Sequence, residues 1–310
     1  MTAGQGTARI VLAGAGMGLL LLGLEAGVAR AAPGALTGLV SLVPVALGFV
    51  LGGPVAGGLA AGVAVAGTAV LAGTSAAAVL GLRHAVPGLV LGAALVRRLP
   101  LPLTLILVGG ASLAGLALLV WAYAPSRAGM LAFLQQELDA QIADLERLPA
   151  RLGPEGGTGW VGESARLAVT TMRVTGPAVV LVSLLLVALV NYVIARLCLR
   201  GRGFRPFAQE AVPDHLVWGV IAGGALLASQ HELLVRAGLN LLLVLLPLYA
   251  IQGLAVLRHF FQKARLPRPL QGVGFGLFAL QPLLVVAVAC LGLTDLWADY
   301  RKIRRAPTPA

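Results

Sequence analysis

Residues 174–198 read VTGPAVVLVSLLLVALVNYVIARLC, and this stretch decides the class of fold. Arg196 is the only charged residue in it, and it stands close to the end. An α-helix rises about 1.5 Å per residue, so a helix of this length crosses the roughly 30 Å hydrocarbon core of a bilayer. The stretch therefore predicts a membrane-spanning helix.

The composition of the whole chain extends this pattern to the rest of the protein. Of the 310 residues, 58% are hydrophobic and only 11% are charged, and the mean hydropathy is +0.92. Soluble domains carry about 25% charged residues. The charges are also bunched, so that apolar stretches of about 20 residues lie between them. We therefore expect an all-α fold, namely a polytopic bundle of transmembrane helices.

The apolar stretches divide into nine predicted membrane segments, or eight if the third and fourth form one broken element. They cover residues 10–29, 35–53, 54–82, 84–96, 101–124, 174–198, 216–229, 237–257 and 272–296. The first is longer than the h-region of a signal peptide, which has about 7–15 residues, so we expect it to be retained as a helix. The chain thus falls into Gly- and Ala-rich segments in 1–124, a loop in 125–173, and further segments with basic loops and a basic tail in 174–310.

Hydrophobic residues in the long loop recur at intervals of three and four. They are Met130, Phe133, Leu134, Leu138, Ile142 and Leu145. This spacing is typical of an amphipathic helix. It predicts one helix outside the membrane, on the extracytoplasmic side. A lid or partner-binding helix and an inert helix at the membrane interface remain alternatives.

The formal net charge of +11 comes from Lys and Arg residues that cluster at the ends of apolar segments. This distribution is typical of residues that set membrane topology, and it argues against a nucleic-acid partner. With the N-terminus in the cytoplasm, the larger share of these residues lies inside. We therefore expect a multi-pass protein of the bacterial cytoplasmic (inner) membrane, with the lipid bilayer as its main partner.

The last segment raises a difficulty for this topology. A ninth full span would place Arg301, Lys302 and the arginines that follow them outside the cell. Gln281 and Pro282 interrupt that segment, however. We expect the segment to bend back or re-enter, which leaves the C-terminus in the cytoplasm. The alternative is that an early segment is miscounted and a second error compensates for it.

Polar side chains inside the predicted spans are candidates for function, because they are costly in a bilayer. We predict that a small polar pocket for an unidentified small molecule is lined by Glu25, Asn191, Asn240 and Gln252. Each also has a structural alternative. Glu25 could pair with Arg30, and the asparagines could form hydrogen bonds between helices.

Motifs of known chemistry are absent from the sequence. It has no GxxxxGK[ST] phosphate loop, no HExxH and no GxSxG, and Cys198 and Cys290 lack a CxxC spacing. We therefore predict no catalytic residue, no metal site and no cofactor, and we do not expect an enzyme.

Residues 291–305, LGLTDLWADYRKIRR, end the last apolar segment with two acids, two aromatic side chains and a basic cluster. Asp295 and Asp299 share one face if the helix continues, and aromatic rings of this kind suit the headgroup level. The stretch predicts an interfacial clasp, in which the acids pair with arginines of the loop at 258–268 while the aromatic rings anchor the helix. Its residues are Asp295, Trp297, Asp299, Tyr300 and Arg301.

Several stretches resemble a bacterial family of membrane proteins of unknown function, the YybS-like proteins. The resemblance covers most of the chain outside residues 125–172. It rests on HAVPGLVLGAALVRR (84–98), GPAVVLVSLLLVALVNYVIARLCLR (176–200), VPDHLVWG (212–219), GLNLLLVLLPLYAIQGLAVLRHF (238–260) and LGLTDLWADYRK (291–302). The family usually has Phe at the position of Tyr300.

The resemblance implies no established activity. The family is distantly similar to the substrate-binding S components of energy-coupling-factor vitamin transporters and to the rod-shape protein MreD. S components bind a small molecule and dock on an ATPase module through small residues of the first helix, such as Gly14 and Gly18 would be here. The resemblance thus implies a small-solute binding or transport subunit with a separate energising partner. A cell-envelope scaffold or assembly protein that acts through helix–helix contacts is the alternative.

Overall fold

The structure is a computed structural model that describes residues 3–31, 40–123, 143, 160–199 and 202–303. Within these ranges the chain is predominantly helical and contains no strand. The predicted all-α bundle is thereby confirmed. The amphipathic helix predicted in the long loop lies outside the described residues, apart from position 143.

The described helices run as follows in chain order. They are α1 Ala3–Ala31, α2 Val43–Ala72, α3 Thr74–Leu80, α4 Val86–Val96, α5 Leu101–Tyr123, α6 Trp160–Cys198, α7 Val217–Leu227, α8 Glu232–Lys263, α9 Arg268–Leu280 and α10 Pro282–Ala298. A π-helical turn, Gly81–Ala85, joins α3 to α4, and two 3-10 turns, Phe207–Gln209 and Asp214–Leu216, precede α7.

Five stretches of the described chain are long and apolar enough to cross a membrane. They are Val43–Ala72, Thr74–Val96, Leu101–Ala122, Val174–Cys198 and Glu232–Lys263. Shorter apolar helices cover Ile10–Leu24, Asp214–Leu227 and Leu283–Ala298. The protein is therefore a membrane protein with several candidate spans, as its sequence predicts.

Helix α2 is a hairpin of two arms rather than one rod. Gly53 has φ 77° and ψ −172°, outside the helical region, and Pro54 follows it. A methyl group added to Gly57 would lie 2.8 Å from the Cβ of Phe49. Residues eight positions apart are separated by about 12 Å in a straight helix, so the chain must reverse at Gly53. The arms are residues 43–52 and 54–72, and the reversal falls at the boundary predicted between segments two and three.

Helix α1 runs alongside the second arm of α2 in the same direction. The Cα of Gly14 faces the carbonyl of Ala56, and Gly18 faces that of Ala60, so closely that an added methyl group would lie 2.8 and 2.7 Å from those oxygens. Small residues permit such close approach in lipid. Both glycines are therefore used for packing inside the chain.

The next span begins earlier than its sequence suggests. The break between the third and fourth segments falls at Gly73, which has φ 90°, and not near residue 83. Thr74–Val96 is then one apolar stretch that contains Pro87. Proline has no backbone N–H, so a regular helix would miss one hydrogen bond at Pro87. The π-helical turn just before it accommodates this missing bond.

The later helices differ from the predicted segments mainly at their ends. Helix α6 begins at Trp160, although the span within it starts at Val174 as predicted. The ninth predicted segment is divided at Gln281 into α9 and α10, since Gln281 has φ −107° and ψ 109°. The interruption predicted at Gln281 and Pro282 is therefore present. The main core packs side chains from α2, α4, α5, α6, α8 and α10 together.

Candidate functional site

The first arm of α2 starts inside the bundle. Residues 41–46 are all buried, and residues 43–52 rise by only about 15 Å, half of the hydrocarbon core. Three polar side chains surround this start, and we call them the mid-depth cluster: Ser41, His84 and Asn191. Ser41 and Asn191 are fully buried and His84 is 8% exposed.

Hydrogen bonds connect the mid-depth cluster to the start of α2. Ser41 Oγ lies 2.7 Å from His84 Nδ1. The Leu42 N–H donates to Asn191 Oδ1 at 3.0 Å, and Asn191 Nδ2 donates to the Val187 carbonyl at 2.8 Å. Asn191 thus supplies from α6 the acceptor that the first turn of a helix lacks.

Two backbone N–H groups at this helix start bind within the protein. The Val43 N–H donates to the Val40 carbonyl at 3.2 Å, and Pro44 has no N–H. The Leu42 N–H donates to Asn191, so it is not available to bind an anion beside Ser41. The mid-depth cluster itself therefore offers a hydroxyl and an imidazole as its hydrogen-bonding groups.

Asn240 fills a gap in another helix. Its Oδ1 accepts the Ala178 N–H at 2.9 Å, and its Nδ2 donates to the Val174 carbonyl at 3.0 Å. In a regular helix that N–H would bind that carbonyl directly. Pro177 lies within α6 at this point, so the Asn240 amide bridges a step of the helical ladder beside a proline.

Gln252 is also held by two partners. Its Oε1 accepts the Val212 N–H at 2.9 Å, and its Nε2 lies 3.3 Å from Asp295 Oδ2. It is fully buried. It ties α8 to the segment before α7 and to the end of α10.

The four residues of the predicted pocket are placed at separate points. Asn191 binds the start of α2, and Gln252 faces the end of α10. Asn240 binds α6 at Ala178, which lies about 20 Å from Asn191 along that helix, towards its N-terminal end. Glu25 belongs to α1, but its side chain lies outside the description. The structure brings Asn191 together with Ser41 and His84 instead.

A second polar site closes one end of the bundle, and we call it the terminal knot. Its centre is Arg301, whose side chain is 2% exposed. The guanidinium binds Asp295 Oδ2 at 2.8 Å and donates to the carbonyls of Ala208 and Glu210 at 2.8 and 2.7 Å. One side chain of the tail thus holds α10 and the segment before α7 together. The tail therefore lies at the same end as that segment.

Glu210 extends the terminal knot to two further helices. Its Oε2 accepts the N–H of Leu101, which caps the start of α5. Its Oε1 lies 3.7 Å from Arg196 Nη1 at the end of α6. Burial raises the pKa of Glu210 above its usual value, although the Leu101 N–H and the charges of Arg196, Arg205 and Arg301 act to lower it.

The residues of the predicted clasp lie at the end of α10 and in the turn that follows it. Asp295 pairs with Arg301 of the tail and not with an arginine of the loop at 258–268. The helix ends at Ala298, and Asp299 adopts the left-handed conformation with φ 43°, so the tail turns back towards Asp295. Asp299 is buried and accepts the Ile303 N–H, while Trp297 is 63% and Tyr300 40% exposed.

Sequence reasoning did not single out Ser41, His84, Glu210 or Arg196 as site residues. Ser41 stands alone in an apolar stretch, and His84 directly follows Arg83, which lies between two predicted segments, so neither belongs to a recognisable motif. Glu210 and Arg196 lie far from Leu101 and Arg301 in sequence, so no local pattern joins them.

A model of the family described as "Predicted membrane protein (DUF2232)" matches residues 21–296 of the chain. The chain belongs to this family. The matched range includes the whole mid-depth cluster and most of the terminal knot, but Arg301 follows it. Membership agrees with the resemblance to an uncharacterised membrane family and brings no activity with it. No curated protein and no solved structure matches.

Proposed function

We propose that the protein is the solute-binding subunit of a transport system in the bacterial cytoplasmic membrane. The observation that carries this proposal is the start of α2 at mid-depth, surrounded by Ser41, His84 and Asn191. Transporters commonly bind their substrates near the bilayer midplane where helices are discontinuous.

The cost of this arrangement supports a role in binding. Polar side chains are expensive at the centre of a bilayer, and a continuous helix would not need them. Here the three side chains come from separate elements: the segment before α2, the π-helical turn and α6. They converge on one point because the short arm of α2 begins there.

The chemistry of the cluster limits the solute. Since the Leu42 and Val43 N–H groups are used internally and Pro44 has none, few backbone donors remain for an anion at this helix start. A small, uncharged polar solute with both a donor and an acceptor fits better, because it can replace the Ser41–His84 hydrogen bond by two of its own. The sequence carries no phosphate loop, so an ATPase or another separate partner would supply the energy.

The test is a thermal-shift screen of the detergent-solubilised protein against small polar solutes. A solute at 100 times its dissociation constant stabilises the folded state by about 2.7 kcal/mol. We expect a shift for the unchanged protein, and its loss in Ser41→Ala and His84→Phe. Thr104→Val is the matched control, because it removes a buried hydroxyl whose hydrogen bond goes to the Pro100 carbonyl, just before its own helix.

Two results would count against this proposal. One is a solute shift that persists in both cluster variants, which would place binding elsewhere. The other is the absence of any shift with solutes taken from an extract of the native host.

A scaffold function is the second candidate, and the terminal knot favours it. The knot fixes the tail, the segment before α7 and the start of α5 as one rigid surface at the end that carries most of the described basic side chains. By the positive-inside rule that end faces the cytoplasm. A scaffold would use this surface to hold an envelope-assembly protein.

A further inference from the structure

Four exposed arginines lie on two connections at the knot end of the bundle. Arg97 and Arg98 follow α4, and Arg202 and Arg205 follow α6. The two connections are adjacent in space, since a methyl group added to Gly203 would lie 3.9 Å from Arg98 Nη2. We call these four residues the arginine patch.

No acidic side chain neutralises the arginine patch within the described part of the chain. The ion pairs found there are Arg196–Glu210, Arg236–Glu232 and Arg301–Asp295, none of which includes a patch residue. Arg205 is close enough to affect Glu210, but that carboxylate is buried and already accepts the Leu101 N–H. The patch therefore presents an excess of positive charge to its surroundings.

The patch stands at the level where lipid headgroups lie. Two candidate spans end at Val96 and Cys198, immediately before the two connections. Side chains that follow the end of a span by a few residues reach the interface, and arginine side chains extend further along it.

The backbone of Arg98 fixes where its side chain begins. Arg98 has φ 52°, and the Leu99 N–H binds the Ala94 carbonyl at 3.1 Å. This is the turn that ends many helices, and its left-handed position is usually occupied by glycine. Arg265 ends α8 in the same turn, with φ 54°, so a variant at Arg265 matches Arg98 in backbone conformation as well as in charge.

We propose that the arginine patch is a binding site for the phosphate of an anionic membrane lipid. Guanidinium groups bind phosphate oxygens in pairs of parallel hydrogen bonds, and basic clusters beside membrane helices attract anionic headgroups. A topology signal needs only charge, whereas this site also needs the fork geometry of arginine at adjacent positions.

The test is native mass spectrometry of delipidated protein titrated with phosphatidylglycerol or with phosphatidylcholine of the same acyl chains. We expect tighter binding of phosphatidylglycerol, and a loss of about tenfold in R98Q/R202Q. R98K/R202K keeps the charge and should recover only part of the affinity. K263Q/R265Q is the matched control, because it removes the same charge from exposed positions at the end of α8, on the same side of the bundle.

The outcomes separate a site from general attraction. Equal losses in R98Q/R202Q and K263Q/R265Q would overturn the proposal, as would equal binding of the two lipids. Displacement of the lipid by soluble glycerol phosphate at a similar concentration would mean that the site binds a free phosphate, and it would overturn the proposal of a lipid ligand. The melting temperature of each variant in detergent distinguishes a loss of binding from a loss of folding. Arg98→Gln alone is a milder variant, because it keeps the hydrogen bond from Arg202 to the Val50 carbonyl.

Discussion

At the scale of single residues, the amide side chains of Asn191 and Asn240 act as replacements for backbone hydrogen bonds. Asn191 supplies an acceptor to the start of α2, and Asn240 bridges two backbone groups of α6. Both amides satisfy backbone groups that would otherwise be unpaired in a medium without water. The sequence predicts that they line a solute pocket, and the contacts explain why an asparagine is useful at each position even without a solute.

Asn240→Ala tests this role together with Pro177. We expect the substitution to destabilise the protein by about 1 kcal/mol, because Ala178 and Val174 lose their partners beside the proline. In a Pro177→Ala background the helix can close the Ala178–Val174 bond itself, so the same substitution should cost much less. Unfolding by denaturant in detergent micelles measures all four proteins of the cycle. Equal costs in both backgrounds would show that Asn240 does not act through the ladder of α6.

Glu210 predicts how stability depends on pH. Its raised pKa means that the folded state holds a proton in a pH range where the unfolded state has released it. The stability from this group is present below the unfolded pKa of about 4.3 and is lost as pH rises through the folded pKa. Glu210→Gln should therefore flatten the fall in stability with rising pH. Unfolding curves measured from about pH 4, near the unfolded pKa, up to about pH 8 test this prediction.

The control for Glu210→Gln is Glu232→Gln, which removes an exposed carboxylate paired with Arg236 at the start of α8. A slope that changes equally in both variants would mean that burial of Glu210 is not the cause.

At the scale of helices, the closest packing is between α8 and α10. Gly253 and Gly292 lie at their crossing, where a methyl group on Gly253 would collide with the Val288 carbonyl oxygen. The backbones approach so closely that no side chain fits between them. This contact positions Asp295 beside Gln252 and so prepares the terminal knot.

Gly253→Ala should destabilise the protein by about 2 kcal/mol, because the overlap is with backbone atoms that cannot rotate away. Gly272→Ala on α9 is the matched control, since nothing lies within 4 Å of the added methyl group. Thermal unfolding in detergent compares them. A Gly253→Ala protein as stable as the control would show that α8 and α10 are not in contact at this point.

The sequence predicts these elements best where a proline or glycine stops an apolar stretch. Gly53 and Pro54, and Gln281 and Pro282, mark interruptions that the structure contains. Prediction from the sequence fails where tertiary packing determines the position of a break or the partner of a side chain. The break at Gly73 depends on a left-handed backbone that other glycines of the same stretch do not adopt. The ion pair of Asp295 with Arg301 could be predicted only by knowing that the helix ends at Ala298, because this end turns Arg301 back towards Asp295.

At the scale of the whole molecule, the start of α1, the described tail up to Ile303 and the basic connections lie at the knot end. Ile10 of α1 lies near Gly52, and Arg202 donates to the Val50 carbonyl, which places the start of α1 beside the connection after α6. Arg301 binds the same region through Ala208. The turn at Ser229 is about 30 Å away from Gln252 along α8.

Cysteine labelling in membranes tests this arrangement. In a background of Cys198→Ser and Cys290→Ser, both of which replace exposed cysteines, single cysteines are introduced at Arg98, Ser229 and Lys302. A reagent that does not cross membranes should label Arg98→Cys and Lys302→Cys from one side and Ser229→Cys from the other. Labelling of Lys302→Cys from the side of Ser229 would instead mean that α9 and α10 cross the membrane together.

The link between Leu42 and Asn191 has a consequence for how the protein is synthesised. The two residues are 149 positions apart, so the start of α2 is made long before its acceptor exists. Until α6 is inserted, the Leu42 N–H has no Asn191 to bind in a medium that offers no water. We therefore expect the first half of a nascent chain to remain incompletely folded in the membrane until the second half is inserted. Until then, the insertion machinery or transiently bound water would have to satisfy the Leu42 N–H.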